Sequence, residues 1–381
     1  MKFKITLVIL AFTIFMVLMI ACEGPDQPTY TADNDPNPTG KTAAVISSIS
    51  PTEGYLKDVV TIHGSGFDAT PENNFVAFGN LVAKCVSATA DMLEVVAPNI
   101  NDATVNVKVA VKASEFWSNE TEFTFYNTLA VIDEEIVWPN GVAVDDNDNV
   151  YIGSADEGII YRIDPAGTKT EFASVPISGS MEFGPENYLY ICTQGEGKIV
   201  RVSPDGTTVE DVVEVDSPID FDWDAAGNMY IVSNGGAIYK YDTAGGLTEV
   251  ASIGSPKCLR VFENILVVSD IWDGNIWRYD ITASGLENEQ VILSDFTPLG
   301  IEFDADGMLY FTHAWETSLY VMEPEAGAEV EEIYSGQLMS PMHYLTFYGK
   351  KMYIVYPGWG DVGMTMSAYI GVEQAPNYGR P

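Results

Sequence analysis

Four tryptophans, with the acids and histidines around them, are the residues of this 381-residue chain best equipped for surface chemistry. Trp272 lies in SDIWDG (269–274), Trp315 in THAWETS (312–318) and Trp359 in YPGWGDVG (356–363), while Trp138 precedes PNG at 139–141. An exposed indole leaves a wide apolar face in water, so a loop rarely carries one without a use. Such faces stack on the C–H side of a pyranose ring, and neighbouring carboxylates accept hydrogen bonds from its hydroxyls. The ligand-binding candidates are therefore Trp138, Asn140, Asp270, Trp272, Asp273, His313, Trp315, Glu316, His343, Tyr356, Trp359 and Asp361. The expected ligand is a neutral oligo- or polysaccharide. The competing reading is that these indoles only pack between long loops.

A catalytic alternative uses the same residues. His313 and His343 are expected on one face, close enough to approach each other. Either, near neutrality, could take a proton from a sugar hydroxyl or C5, with Tyr356 or Glu316 as the acid. A lyase acting on a uronate must also neutralise a carboxylate, and positive charge is scarce here. No residue is therefore assigned a catalytic role, and no cofactor or metal is expected. The chain contains no G-x-S-x-G elbow, H-E-x-x-H or phosphate loop.

Charge narrows the partners. With 55 acidic against 18 basic residues the formal charge is −37, and no basic stripe exists to displace counterions from nucleic acid. The same field disfavours polyanionic glycans and tolerates neutral sugars and cations. Apolar residues make up 46% of the chain, enough for sizeable cores.

The elements that must position these loops are read from a repeat. PNGVAVDDNDNVYIGS (139–154), SGSMEFGPENYLYICT (178–193), PIDFDWDAAGNMYIVS (218–233), PKCLRVFENILVVS (256–269), PLGIEFDADGMLYFT (298–312) and PMHYLTFYGKKMYIV (341–355) align on Tyr151, Tyr190, Tyr230, Val267, Tyr310 and Tyr353. A period of about forty residues with four short strands per unit predicts a six-bladed β-propeller. The sixth unit lacks a convincing fourth strand, and LAVIDEEIV (129–137) is expected to supply it, closing the ring and removing its exposed edges. In that arrangement the loop from second to third strand and the loop leading into the innermost strand share a face, the one bearing the tryptophans. Asp220 and Asp222, on the innermost strand of unit three, are expected to satisfy local backbone, and Lys257 and Arg260 to lie near the channel.

Before the propeller, residues 44–127 alternate apolar and polar positions between turn clusters, which predicts a β-sandwich. Ile49-Ser50-Pro51-Thr52-Glu53-Gly54, Val60 to Phe67 (VTIHGSGF), Val76-Ala77-Phe78-Gly79 and Val95-Val96-Ala97-Pro98 resemble the IPT/TIG immunoglobulin-like family. The propeller repeats resemble the NHL type, with P-x-G-[IV]-A-[VF]-D-like halves at Pro139 to Asp145 and Pro298 to Asp304. Some six-bladed relatives, the gluconolactonase-like propellers, hold a divalent metal at the channel mouth, and Asn140 matches one such position. The remaining mouth positions, Gly179, Ile219, Lys257, Leu299 and Met342, offer no carboxylate set. The expected fold is thus all-β: an Ig-like sandwich followed by a six-bladed NHL-type propeller closed by an N-terminal outer strand.

Residues 1–21, with Lys2 and Lys4 before an apolar run, read as a signal peptide, and Met19-Ile20-Ala21-Cys22 resembles a lipobox with Cys22 as the lipidated residue. Residues 22–43 are polar, Pro-rich and aperiodic, as in a tether. Lipobox, tether, sandwich and propeller together resemble the surface lipoproteins of glycan-uptake systems in Bacteroidetes-type bacteria. The resemblance implies a glycan ligand, membrane association through the lipid anchor only, placement at the outer membrane facing outwards, and an outer-membrane glycan transporter complex as a further partner. A glycan-active hydrolase or lyase, or a protein-binding scaffold, are the alternative functions.

Overall fold

The computed structural model describes residues 42–98, 100, 103–114, 116–358 and 363–380. The signal peptide, Cys22 and nearly all of the tether lie outside the described residues, as do Trp359 and Asp361. The chain divides into two compact units that part between Asn127 and Thr128. Among the described residues no helix is long and apolar enough to cross a membrane.

The first unit is a β-sandwich of the strands Val45–Ser50, Glu53–Gly54, Val59–Ser65, Asn74–Phe78, Leu81–Ala88, Met92–Val96, Ala103–Val111 and Thr121–Phe125. Alternation does the work: Val60, Ile62, Leu93, Val95, Val107 and Val109 turn inward and are buried, while Val59, His63 and Asn106 beside them face water. Phe78, Phe123 and Phe125 meet edge to face in this core, with ring centroids 4.8–5.8 Å apart.

The second unit is a six-bladed propeller. Five blades run in simple order through four antiparallel strands, beginning with the innermost strands Pro139–Val144, Met181–Phe183, Pro218–Trp223, Pro256–Phe262 and Pro298–Phe303. The sixth comprises Tyr344–Tyr348, Lys351–Tyr356 and Met364–Tyr369, and its outermost strand is Leu129–Asp133, contributed from the start of the unit. The closing segment is fastened to blade one, where Lys169 Nζ meets Asp133 at 2.8 Å and Glu135 at 2.9 Å.

The repeated residues have local jobs. Asp145 Oδ1 accepts the N–H groups of Asn147 and Asn149, and Asp224 and Asp304 repeat the arrangement in blades three and five. In blades one and five the aligned tyrosine reaches the same acid, Tyr151 donating to Asp145 at 3.1 Å and Tyr310 to Asp304 at 3.0 Å. Between third and fourth strands, Asp164 and Asp242 fold equivalent turns, and hydrogen bonds from backbone N–H groups hold both carboxyls below the usual range. A share of the acidic excess is therefore turn chemistry.

Candidate functional site

Trp272 and Trp315 lie in the second-to-third-strand loops of blades four and five and are among the most exposed large apolar residues described, at 82% and 69%. They line one cleft of about 220 Å³ together with Leu299, Ala314, Pro341 and His343. Its lining is almost wholly apolar carbon, which suits stacking rather than ion binding. Trp138 is 46% exposed but is not among the residues lining that cleft. It sits at φ 46°, as Ser217 sits at φ 50° before the innermost strand of blade three, so its backbone belongs to the blade repeat.

The loops that carry the indoles are held from within. Asp270 Oδ1 accepts the N–H groups of Trp272 and Asp273, both at 3.2 Å. His313 Nδ1 accepts the Trp315 N–H at 3.2 Å, and its ring packs edge-on against Phe296 with centroids 4.7 Å apart. Through Asp270 Oδ1 and His313 Nδ1, both residues position a tryptophan loop.

Several expectations are corrected by burial. Asp270 is 0% exposed and cannot present its carboxylate to a hydroxyl at the surface. Tyr356 is 2% exposed, its OH accepts the Met339 N–H at 2.9 Å, and burial pushes its pKa to about 12, so neither ligand contact nor proton donation falls to it. His343 does reach the cleft, but burial and then the neighbouring Lys257 hold its pKa down at about 3, which leaves little proton affinity for a general base. The two histidines are thus given different tasks rather than a shared one. Asp273 and Glu316 are exposed, and Glu316 accepts the Tyr320 OH. Asn140 is half-buried, with a buried Oδ1 that no donor reaches.

Lys257 extends across the channel mouth, its Nζ 3.1 Å from the Tyr344 OH and 4.4 Å from that ring's centroid. A divalent metal of the gluconolactonase-like kind does not fit this mouth. Asp220, the nearest innermost-strand acid, is taken up by Arg260 at 2.8 Å and by the Leu259 and Phe221 N–H groups. No group of three or more His, Cys, Asp or Glu side chains suited to a metal occurs among the described residues.

Farther along the channel lies a charged ring, in which Asp222 and Arg260, expected at local backbone and near the channel, are joined by Glu182 and Glu302, which the sequence did not single out. Glu182, Asp222, Arg260 and Glu302 occupy equivalent places in blades two to five, each paired across to the aligned position of its second strand (Tyr190, Tyr230, Val267, Tyr310). Arg260 Nε bonds Glu302 at 2.9 Å, and Asp222 accepts the Val261 and Trp223 N–H groups at 2.7 Å each. Burial raises the pKa of Glu182, Asp222 and Glu302. The ring lines a cavity of about 360 Å³ whose other wall is the C-terminal segment 374–380. That segment straps the face opposite the tryptophans: Asn377 Nδ2 donates to Glu182 at 2.8 Å, Tyr378 OH accepts the Glu263 N–H, and Arg380 reaches Val144 and Asp146. With most of its polar atoms paired, the ring reads as a structural lock on the channel. Its sequence signal was an acid or arginine recurring at the fifth position of the innermost-strand motifs.

The family model of the IPT/TIG domain matches residues 44–125, so the chain combines an IPT/TIG domain with a six-bladed β-propeller. No curated protein sequence matches the chain. Among solved structures, a structural genomics protein of unknown function from Bacteroides thetaiotaomicron is similar over 87% of this chain and 99% of its own, at 15% identity and a TM-score of 0.54. An auxiliary nutrient binding protein from Bacteroides ovatus is similar over 87% and 99%, at 14% identity and a TM-score of 0.51. A gluconolactonase from Xanthomonas campestris is similar over 63% and 89%, at 16% identity and a TM-score of 0.55. At such identities the likeness is one of fold.

Proposed function

We propose that this protein binds a neutral oligo- or polysaccharide in the cleft between Trp272 and Trp315, as a lipid-anchored protein of the cell envelope that hands its ligand to an outer-membrane transporter. The observation that carries the reading is the pair of indoles, 82% and 69% exposed, on one apolar cleft. These two are the most exposed large apolar side chains among the described residues, and a fold has no structural need to leave two neighbouring indoles in water. The exposed carboxylates of Asp273 and Glu316 stand on the same loops and supply acceptors for sugar hydroxyls. The nutrient-binding description of the Bacteroides ovatus neighbour is consistent with this reading.

A hydrolase or lyase on the same face is the weaker reading. His343 has too little affinity for a proton, His313 is engaged with its own loop, and Tyr356 is buried.

The test is a screen of neutral glycans followed by titration of any ligand that binds. Trp272→Ala and Trp315→Ala should each weaken affinity roughly ten- to hundredfold, the ~1–3 kcal/mol of a stacking anchor, with unchanged melting temperature. Full affinity in both variants would place the site elsewhere.

A further inference from the structure

The fourth blade breaks a hydrogen-bonding rule that the first and third obey. At the end of the second strand of blade one, Ser154 Oγ donates to the Val137 carbonyl at 2.7 Å, and in blade three Ser233 Oγ donates to the Asp216 carbonyl at 2.7 Å. Each acceptor lies two residues before the proline that opens the innermost strand, and that proline pairs with the serine. In blade four Pro256 pairs with Asp270, and the residue two before it is Gly254. The register is confirmed by the adjoining bond, Ile271 N–H to the Ser255 carbonyl, which repeats Ala155 to Trp138 and Asn234 to Ser217. A carboxylate therefore stands where its counterparts place a hydroxyl donor against a carbonyl.

The consequence is a cluster of oxygens with no proton donor among them. Asp270 is 0% exposed, and while its Oδ1 takes the Trp272 and Asp273 N–H groups, its Oδ2 is buried and meets no donor. Asp273 Oδ2 converges on the same spot: a side-chain carbon built on Gly254 would lie 3.0 Å from Asp270 Oδ2 and 2.9 Å from Asp273 Oδ2. Glycine at 254 keeps that space open. Two carboxylates turned toward one point, with one of them wholly desolvated, repel each other unless positive charge lies between. The nearest cations named on the channel, Lys257 and Arg260, are spent on Tyr344 and on Asp220 and Glu302.

We infer that Asp270 and Asp273 form a calcium site at the base of the Trp272 loop, beside Gly254. An all-oxygen donor set with two carboxylates suits a hard divalent cation, and the flexible coordination of Ca²⁺ accepts an exposed side completed by water, where Mg²⁺ demands a near-octahedral shell. The net charge of −37 adds a general attraction for cations. With two carboxylates the affinity belongs to the range of extracellular modules, a Kd of about 10⁻⁴–10⁻³ M. The inference does not rest on the glycan reading, since the cation is held by Asp270 Oδ2 and Asp273 below the indole, but with the cation bound Asp273 serves it, and of the two exposed loop acids Glu316 alone remains as the carboxylate acceptor for a sugar.

The test is titration of the full chain, stripped with chelator, with CaCl2 at neutral pH, read by calorimetry and by melting temperature with and without the ion. Wild-type protein should bind Ca²⁺ and melt at higher temperature with it, and Mg²⁺ should do less. Asp270→Ser, which restores the hydroxyl of blades one and three, should fold and lose the response. Should that variant fail to fold, the exposed Asp273→Asn reports instead, with affinity lowered about tenfold or more. No binding by wild-type protein up to about 10 mM Ca²⁺, a calcium response retained in Asp270→Ser, or an unchanged Kd in Asp273→Asn would each overturn the assignment.

Discussion

Asp222→Asn isolates the charged ring of the channel as a pH-dependent contributor to stability. Asp222 is buried beside Arg260 and within the field of Glu302 and Glu182, and burial raises its pKa to about 7. A carboxyl that holds its proton more tightly folded than unfolded contributes stability fully below its unfolded value near 4 and loses it as pH rises through about 7. Against the ordinary 3.8 the change is on the order of 4 kcal/mol at 1.36 kcal/mol per decade of proton affinity. The turn acids Asp164 and Asp242, whose values are lowered, work in the opposite sense: their contribution is present above about 4 and lost below it, outside this window. The substitution also has a cost independent of pH, because an amide NH2 must face the Val261 or Trp223 N–H, worth ~1–3 kcal/mol for a buried mismatch. Denaturant unfolding of wild-type and Asp222→Asn protein between pH 5 and 8.5, followed on the propeller's own transition, separates the two. The variant should be the less stable at pH 5, and since about two of the roughly three decades between the two values lie above pH 5, the deficit should shrink by ~2.7 kcal/mol as pH reaches 8. A difference in stability that stays constant with pH would refute the account of the ring as a set of desolvated carboxyls.

Two further outcomes are expected. Deleting residues 128–137 removes the outermost strand of blade six together with Leu129, Ile132 and Ile136, which pack on the cores of blades six and one, so the propeller should lose ~4 kcal/mol or more at ~1.5–3 kcal/mol per buried side chain; an unshifted melting temperature would rule out closure by that strand. Cys22→Ala should leave the precursor unlipidated and abolish its partition into detergent, whereas a variant that still incorporates a fatty-acid label would dismiss the lipid anchor.

The backbone plan was written in the chain. Repetition at about forty residues announces blades because each four-stranded unit buries its faces only against copies of itself, and alternation announces the sandwich because strand side chains change face at every step. The missing fourth strand of the last unit pointed to its supply by residues 129–137, and Leu129–Asp133 of that segment form it. Loop equivalence likewise placed Trp272 and Trp315 together at one cleft, since residues at the same step of adjacent blades are neighbours.

What the sequence could not disclose is which polar groups within those loops face water. Asp270 and Asp273 are three residues apart in one loop, yet one is sealed beneath it and the other exposed, because the first ends a buried strand and turns back to cap the loop. Tyr356 shares the position of Ser154 and Asp270 at its strand's end, but the Met339 segment covers it. The channel ring and its strap depend on contacts between residues as far apart as Glu182 and Asn377. Local pattern fixes the period and the face of each residue, whereas burial and partner are properties of neighbours brought together only when the ring closes.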